Sequence, residues 1–263
     1  MLVDVSGKVT VITGAGRGIG EALAHRFGAE GARLALWERD ATSLARVTAD
    51  LKAAGVAVLP LQVDVSDADA CTQAAAATHT HFGDLEVLIN NAGVAPSGTV
   101  ESMDIAAWDE TFAVNVRGVF LCCRAVTPFM KARRGGRIIS ASSFAAIIPS
   151  YAFAAYASSK AAVASFTRVL AAELGPWDVT VNAYAPGMVP TQMNGFTSLP
   201  ETRQQQLLDT LTLRRWGAAD DVASLLVFLA SAQAGYISGT LIDVSGGKFS
   251  VQFPQMAHQQ AGL

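Results

Sequence analysis

The sequence predicts an α/β fold of the doubly wound kind, a seven-stranded parallel sheet with helices on both faces. Three observations carry that reading. Seven short runs rich in β-branched residues recur along the 263 residues: Lys8 to Ile12, Arg33 to Trp37, Val56 to Gln62, Leu85 to Asn90, Arg137 to Ala141, Val179 to Tyr184 and Thr240 to Val244. Between them lie Ala- and Leu-rich stretches at helical spacing, such as Leu44, Val47 and Leu51, or Leu225, Leu226 and Leu229. Each strand candidate is a nearly continuous apolar run, as expected where helices cover both faces of a parallel sheet. Alternating strands and helices make βαβ units, and right-handed crossovers wind them in both directions. No Pro/Ser-rich linker, repeat or low-complexity block divides the chain, so residues 1–263 read as one unit.

Composition narrows the function. Nineteen Lys and Arg against 22 Asp and Glu give a net charge of −3, without the basic excess of a nucleic-acid-binding domain. Three cysteines, Cys71, Cys122 and Cys123, are too few and too badly spaced for a disulfide framework. The four histidines form no H-E-x-x-H and have no companion cysteines, so no metal site is expected. Met1 to Lys8 lacks a basic segment followed by an apolar one, and no apolar stretch approaches eighteen residues. The expected setting is a reducing cytoplasm, with no membrane partner.

The first strand runs into Thr13-Gly14-Ala15-Gly16-Arg17-Gly18-Ile19-Gly20 and then a helix beginning near Glu21. A strand, a glycine turn and a helix N-terminus make an anion site, because free backbone N–H groups and the helix dipole face a phosphate. The spacing is G-x-x-x-G-x-G through Gly14, Gly18 and Gly20, with Ile19 where G-x-G-x-x-G needs its third glycine. Glu38, at the end of the second strand, is placed to accept from an adenosine 2′-hydroxyl. Arg17 and Arg39 are the counter-argument, since arginines there could hold a 2′-phosphate. A carboxylate about 4 Å from a phosphate costs ~4 kcal/mol per charge pair at an effective dielectric near 20. Two inward arginines would offset that cost, but pairing of one with Glu38 is equally compatible with the sequence. NAD is favoured over NADP.

Further along, Tyr156-Ala157-Ser158-Ser159-Lys160 lies in an Ala-rich helical segment. Four residues at ~1.5 Å rise put Lys160 about 6 Å from Tyr156 on one face. An ammonium at that distance favours the phenolate by ~2.8 kcal/mol at an effective dielectric near 20, which predicts a phenol tuned toward acid–base work. Alone, the pair is also what a solvated helix face would carry. Ser143 follows the fifth strand thirteen residues before Tyr156, at a strand end where doubly wound folds place their chemistry; Ser142 is its nearest rival. Two later stretches break the rhythm. Residues 188–215 form a long excursion with a polar Glu201 to Gln206 patch, expected to be a substrate loop. The tail, residues 245–263, has no clear period.

Taken together, these motifs resemble the short-chain dehydrogenase/reductase family over nearly the whole chain. The glycine pattern, Asn90-Asn91-Ala92-Gly93 after strand four, Asn115 in the next helix, Ser143, Tyr156, Lys160 and Pro186-Gly187-Met188-Val189-Pro190-Thr191 occur in order. The resemblance implies a Rossmann-type sandwich that interconverts a secondary alcohol and a ketone by hydride transfer. Tyr156 would be the proton donor and acceptor, Ser143 would hold the substrate oxygen, and Asn115 would anchor a water of a proton relay. Lys160 would bind the nicotinamide ribose and tune Tyr156. Asp64 and Val65 would hold the adenine, Asn91, Ala92 and Gly93 the adenosine side, and Val189 and Thr191, with Pro186 and Gly187, the nicotinamide end. The expected substrate wall is Ser143, Phe144, Phe153, Met188 and Phe196, mostly apolar, for a small alcohol or ketone. An NADPH-dependent 3-oxoacyl-[acyl-carrier-protein] reductase is the main alternative, with Lys131, Arg133 and Arg134 as part of a basic docking surface. A nucleotide-binding sensor without turnover is the other. By the same resemblance, the helices over Thr111 to Lys131 and Ala154 to Leu174 would pair across two-fold axes of a homotetramer.

Overall fold

In the computed structural model, which describes residues 3–262, burial sorts the strands into centre and edge. Met1, Leu2 and Leu263, the ends of the expected unit, lie outside the described residues. Strands β1 (Val9–Thr13), β2 (Arg33–Glu38), β3 (Val58–Gln62), β4 (Val87–Asn90), β5 (Gly136–Ala141), β6 (Val179–Pro186) and β7 (Leu241–Val244) form one sheet in the order β3-β2-β1-β4-β5-β6-β7. All six pairings are parallel. β1 and β4, at the centre, are buried throughout, whereas the edge strand β3 is only half-buried and carries Pro60. An edge tolerates proline because one side of the strand needs no ladder donor.

Successive residues of each strand feed opposite faces. Ile12, Leu34 and Leu36 pack with α1 (Gly18–Ala29), α2 (Ala41–Ala53) and α8 (Ala219–Ala230) through Leu23, Phe27, Val47, Leu51 and Leu226. Val11, Ala35 and Trp37 point the other way, onto α3 (Ala68–Phe82), α5 (Val119–Arg133) and α6 (Ala154–Leu174) through Ala74, Val126 and Val163. Replacing a fully buried ring such as Phe27 by alanine would cost about 3–5 kcal/mol in lost burial and residual cavity.

Each predicted strand is present, with ends shifted by at most two residues. The helix expected over Thr111 to Lys131 starts earlier: α4 (Ile105–Phe112), capped by Asp104 accepting from the Ala106 amide, runs through a π-helical turn at Ala113–Gly118 into α5. This run, Ile105–Arg133, is long and apolar enough by length and composition to cross a membrane; half of its most apolar window is buried inside the protein. The excursion is more ordered than its composition predicts, because its polar patch forms α7 (Glu201–Leu208). In the tail, α9 (Gln255–Gln260) is tied back to the excursion by His258, whose Nε2 lies 2.8 Å from the Thr212 carbonyl. The three thiols are free and buried, with Cys71 and Cys122 sulfurs 3.8 Å apart.

Candidate active site

Strand order reverses between β1 and β4, and the loops at their carboxyl ends splay apart there, which is where doubly wound sheets open a crevice. The sequence closes one side of that crevice with backbone. The Thr13 hydroxyl accepts from the amides of Asn91 and Ala92, both at 3.0 Å. In return the Asn91 side chain donates to the carbonyls of Thr13 and Gly14. Gly14 has φ +63°, and a Cβ there would sit 2.8 Å from the Ala92 Cα, so the turn requires glycine twice over. Gly20 does different work. A Cβ on it would run into the Gly14 carbonyl, so it lets α1 press against the turn, and it does not line the crevice. Arg17, the cap of α1, makes no side-chain capping bond, which leaves the first amides of the helix available to an anion.

At the end of β2, Glu38 pairs with neither Arg17 nor Arg39. Its carboxylate accepts from the amides of Gly16 and Asp40, both at 3.0 Å. Arg39 turns instead toward Asp64 at 3.9 Å and Glu110 at 3.7 Å. Asp64 has two opposing influences: burial raises its pKa, and hydrogen bonds from the Ser66 hydroxyl and amide, with Arg39 nearby, lower it further, for a net fall.

At the other end, β5 delivers two adjacent serines, and the pleat separates them. Ser142 donates to the Lys160 carbonyl at 2.9 Å and is spent on holding α6. Ser143 stands with Tyr156 on the wall of the crevice, and its Oγ accepts from the Ala145 amide. Lys160 is 4% exposed, donates to the Ala141 carbonyl at 2.9 Å, and stands 5.6 Å from the Tyr156 ring centroid. Gly93 keeps the space beside it, since a Cβ there would be 3.5 Å from the ammonium and 3.2 Å from Asn115 Oδ1.

One expectation needs correcting. Tyr156 is not lowered: burial pushes its phenol above the ordinary value, and the Ser143 hydrogen bond offsets this only in part. Lys160, whose ammonium stands over the ring face, is itself desolvated, its pKa pushed down to about 8. Asn115 is fully buried within the π-helical turn, and its side chain is already committed. Its Oδ1 accepts from the Val94 amide, and its Nδ2 donates to the Val94 carbonyl and to Ser159 Oγ. A π-helical turn at such a place is a common mark of a functional site.

The crevice has a volume of about 480 Å³. It joins Gly14, Arg17, Gly18, Ile19, Glu38, Arg39, Asp64, Val65, Asn91, Ala92, Gly93, Ser143, Tyr156, Lys160, Pro186, Gly187, Val189 and Thr191 in one wall. Phe144, Phe153 and Phe196 line it too. Met188 does not; it is buried against a separate hollow beside Leu213 and Val244, because the chain direction after Gly187 turns it inward. Among the wall residues that escaped the sequence reading, two hold the crevice in shape. Tyr184, on β6, is fully buried and donates to Asn91 Oδ1 at 3.3 Å, completing the brace on the glycine turn. In the sequence it is one more strand residue. Asn194 pins the start of the excursion, donating to the Val189 carbonyl and accepting from the Thr191 amide. The Asn194-Gly195 pair was its available signal.

The chain belongs to the short-chain dehydrogenase family, whose model matches residues 8–202. It is 36% identical over 251 residues to the 2,3-dihydro-2,3-dihydroxybenzoate dehydrogenase of Bacillus subtilis, covering 92% of this chain and 96% of that one. It is 35% identical to a 3-oxoacyl-[acyl-carrier-protein] reductase of Staphylococcus aureus, over 92% and 98% of the two chains. Among solved structures, a short-chain dehydrogenase/reductase from Serratia marcescens aligns with TM-score 0.87 at 36% identity, over 93% and 98%. The protein is an oxidoreductase of this family with a small-molecule substrate.

Proposed function

We propose that the protein is an NAD-dependent dehydrogenase that interconverts a secondary alcohol and a ketone. The observation that carries the reading is that Ser143, Tyr156 and Lys160, whose ammonium stands 5.6 Å from the Tyr156 ring centroid, line the same crevice as the glycine turn. The cradle fits a dinucleotide: the open amides at Gly18 to Gly20 and the bare Gly14 suit a pyrophosphate, and the buried Lys160 ammonium has donors left over for ribose hydroxyls. Asp64 and Val65 would take the adenine, Glu38 the adenosine ribose, Asn91 to Gly93 the adenosine side, and Pro186, Gly187, Val189 and Thr191 the nicotinamide end. When bound, the dinucleotide supplies or accepts the hydride.

The chain's own residues handle the proton and the charge. Ser143 holds the substrate oxygen by a hydrogen bond and stabilises charge that develops on it. Tyr156, kept as a phenol by burial, gives its proton to that oxygen in reduction and takes it back in oxidation. Lys160, still mostly an ammonium at pH 7 with a pKa of about 8, favours the transient phenolate. Asn115 positions the corner by clamping Val94 to α6 through Ser159.

Glu38 supports NAD. Two amides fix its carboxylate, and a carboxylate has acceptor sites left for a 2′-hydroxyl but repels a 2′-phosphate. The carrier-protein alternative loses part of its basic surface, since Arg133 is paired with Asp84 and Glu86 and Lys131 sits on the Trp177 ring. Tyr156→Phe is expected to bind NAD as the wild type does while oxidising secondary alcohols about 10²–10⁴-fold more slowly. Wild-type turnover in that variant would overturn the reading, and a strong NADPH preference in the wild type would move it to the reductase.

A homotetramer is part of the same proposal. It is supported by apolar side chains standing in solvent on the predicted pairing helices, Phe120 on α5 and Val169 on α6, and by exposed Tyr236 and Phe253 toward the tail. Sedimentation equilibrium checks it; a single-chain mass would sink it.

A further inference from the structure

Beside Tyr156 the backbone is strained. Ala152 has φ +64°, a left-handed conformation that L side chains adopt only at a cost. Arg134 and Asp178 share it, but each closes a helical turn, where it is an ordinary ending. Ala152 closes none. It lies in the turn over residues 150–153, sealed by the Phe153 amide donating to the Ser150 carbonyl at 3.3 Å, just ahead of α6. A positive φ at the third position of such a turn is normally given to glycine. Strain of this kind persists only where the surroundings hold it, and it gathers at sites that need a fixed geometry.

The hold comes from a segment distant in sequence. The Ala152 carbonyl accepts from the Gly98 amide at 2.8 Å, and Gly98 and Phe153 form a parallel bridge. The backbone of Phe153 is thereby fixed from both sides. Its ring meets that of Tyr156 edge to face, with centroids 6.4 Å apart and planes inclined by 74°. Phe153 and Tyr156 both line the crevice, and so does Phe144, the neighbour of Ser143. The charged wall residues apart from Lys160 are Arg17, Glu38, Arg39 and Asp64, all in the dinucleotide half of the site. A substrate oxygen shared by Ser143 and Tyr156 therefore puts the group on its carbon beside aromatic rings and away from those charges.

We propose that the substrate is an aryl ketone or aryl carbinol whose ring packs on Phe153, and that Ala152 is the positioning residue that sets this ring's place. The inference rests on the dehydrogenase reading and narrows its substrate class. The other role open to Phe153 is purely structural, as an apolar side chain at the start of α6.

The test compares acetophenone with cyclohexyl methyl ketone, which are alike in size and differ in the aromatic ring. Binding of each to the enzyme–NADH mixture is measured by calorimetry, and reduction is followed by nicotinamide absorbance. The wild type is expected to bind acetophenone about twofold to tenfold more tightly, the range of an aromatic pair. Phe153→Leu, which keeps the apolar bulk, is expected to erase that ratio, and Phe153→Tyr to retain it. Ala152→Gly accepts the positive φ and should keep the ratio, whereas Ala152→Val, whose branched side chain resists it, should lower the ratio with NADH affinity unmoved. Equal binding of the two ketones by the wild type overturns the proposal whatever the variants do. A ratio that survives Phe153→Leu, or is lost in Phe153→Tyr, overturns it too, and one that survives Ala152→Val overturns the role of Ala152. Turnover separates the two readings. Reduction of both ketones without preferential binding of acetophenone sinks the Phe153 assignment alone, whereas preferential binding with reduction of neither sinks the dehydrogenase reading alone.

Discussion

The two ends of the crevice are built by opposite means. At the dinucleotide end, the side chains are spent on the protein itself: Thr13 and Asn91 lock β1 to β4, Tyr184 braces Asn91, and Glu38 ties the turn to the start of α2. What faces the cofactor is largely backbone, held open by glycine. At the substrate end the side chains themselves are the surface, and the backbone beneath them is an excursion pinned at few points, by Asn194 at its start and by the turn after β7 at its end. Met193 is 53% exposed there, while Thr13 and Tyr184 of the glycine turn's brace are buried. The lesson is one of constraint. A backbone cradle cannot change without losing the fold of β1 and α1, but a surface of side chains on a loop can change its ligand at little cost.

The sharpest way to break that comparison is at Glu38, the one dinucleotide-end side chain whose charge is expected to matter to the ligand. Glu38→Gln removes the repulsion of a 2′-phosphate while keeping the shape, and the ratio of NADPH to NADH efficiency should rise by about tenfold to a hundredfold, below the ~4 kcal/mol that a bare pair at 4 Å would give. Steady-state kinetics with both cofactors measure it. A ratio that stays put would mean that Arg17, not Glu38, decides the cofactor.

A smaller effect is expected at the other end. Phe196 stacks on Trp216, with ring centroids 5.5 Å apart and planes 12° from parallel, and this pair ties the excursion to the chain that immediately follows it. Phe196→Ala should lower the melting temperature little, since a ring pair is worth about 0.5–1.5 kcal/mol beyond its area and this one is partly in solvent. Its KM for the alcohol should nevertheless rise several-fold, with KM for NAD unmoved. A large loss of stability, or a cofactor effect as big as the substrate effect, would show that the two ends are not built independently.

How much of this was readable in the chain follows the same division. The seven strands are short apolar runs whose neighbours in space are set by alternation with helices, so they were legible; so was α6, whose bounds Ala154–Leu174 match those expected. The glycine turn and the Ser143, Tyr156 and Lys160 spacing were legible because one helical turn or one strand end fixes them. Met188 was misplaced for want of a local signal: flanked by the wall residues Gly187 and Val189, it turns into a different hollow. Tyr184 meets Asn91 of the crevice across 93 residues of chain, and nothing near it in sequence announces it.

By itself, then, the sequence determined the alternation that winds the sheet, the turn that bares backbone amides, and the residues one helical pitch apart that share a face. Those are consequences of bond geometry and burial within a few residues of each other. Which way Tyr156 is tuned, and whom Glu38 and Asn115 answer to, were decided only by tertiary structure. Desolvation and hydrogen-bond partnership depend on every element packed around a group, and that neighbourhood comes into being only when distant segments meet.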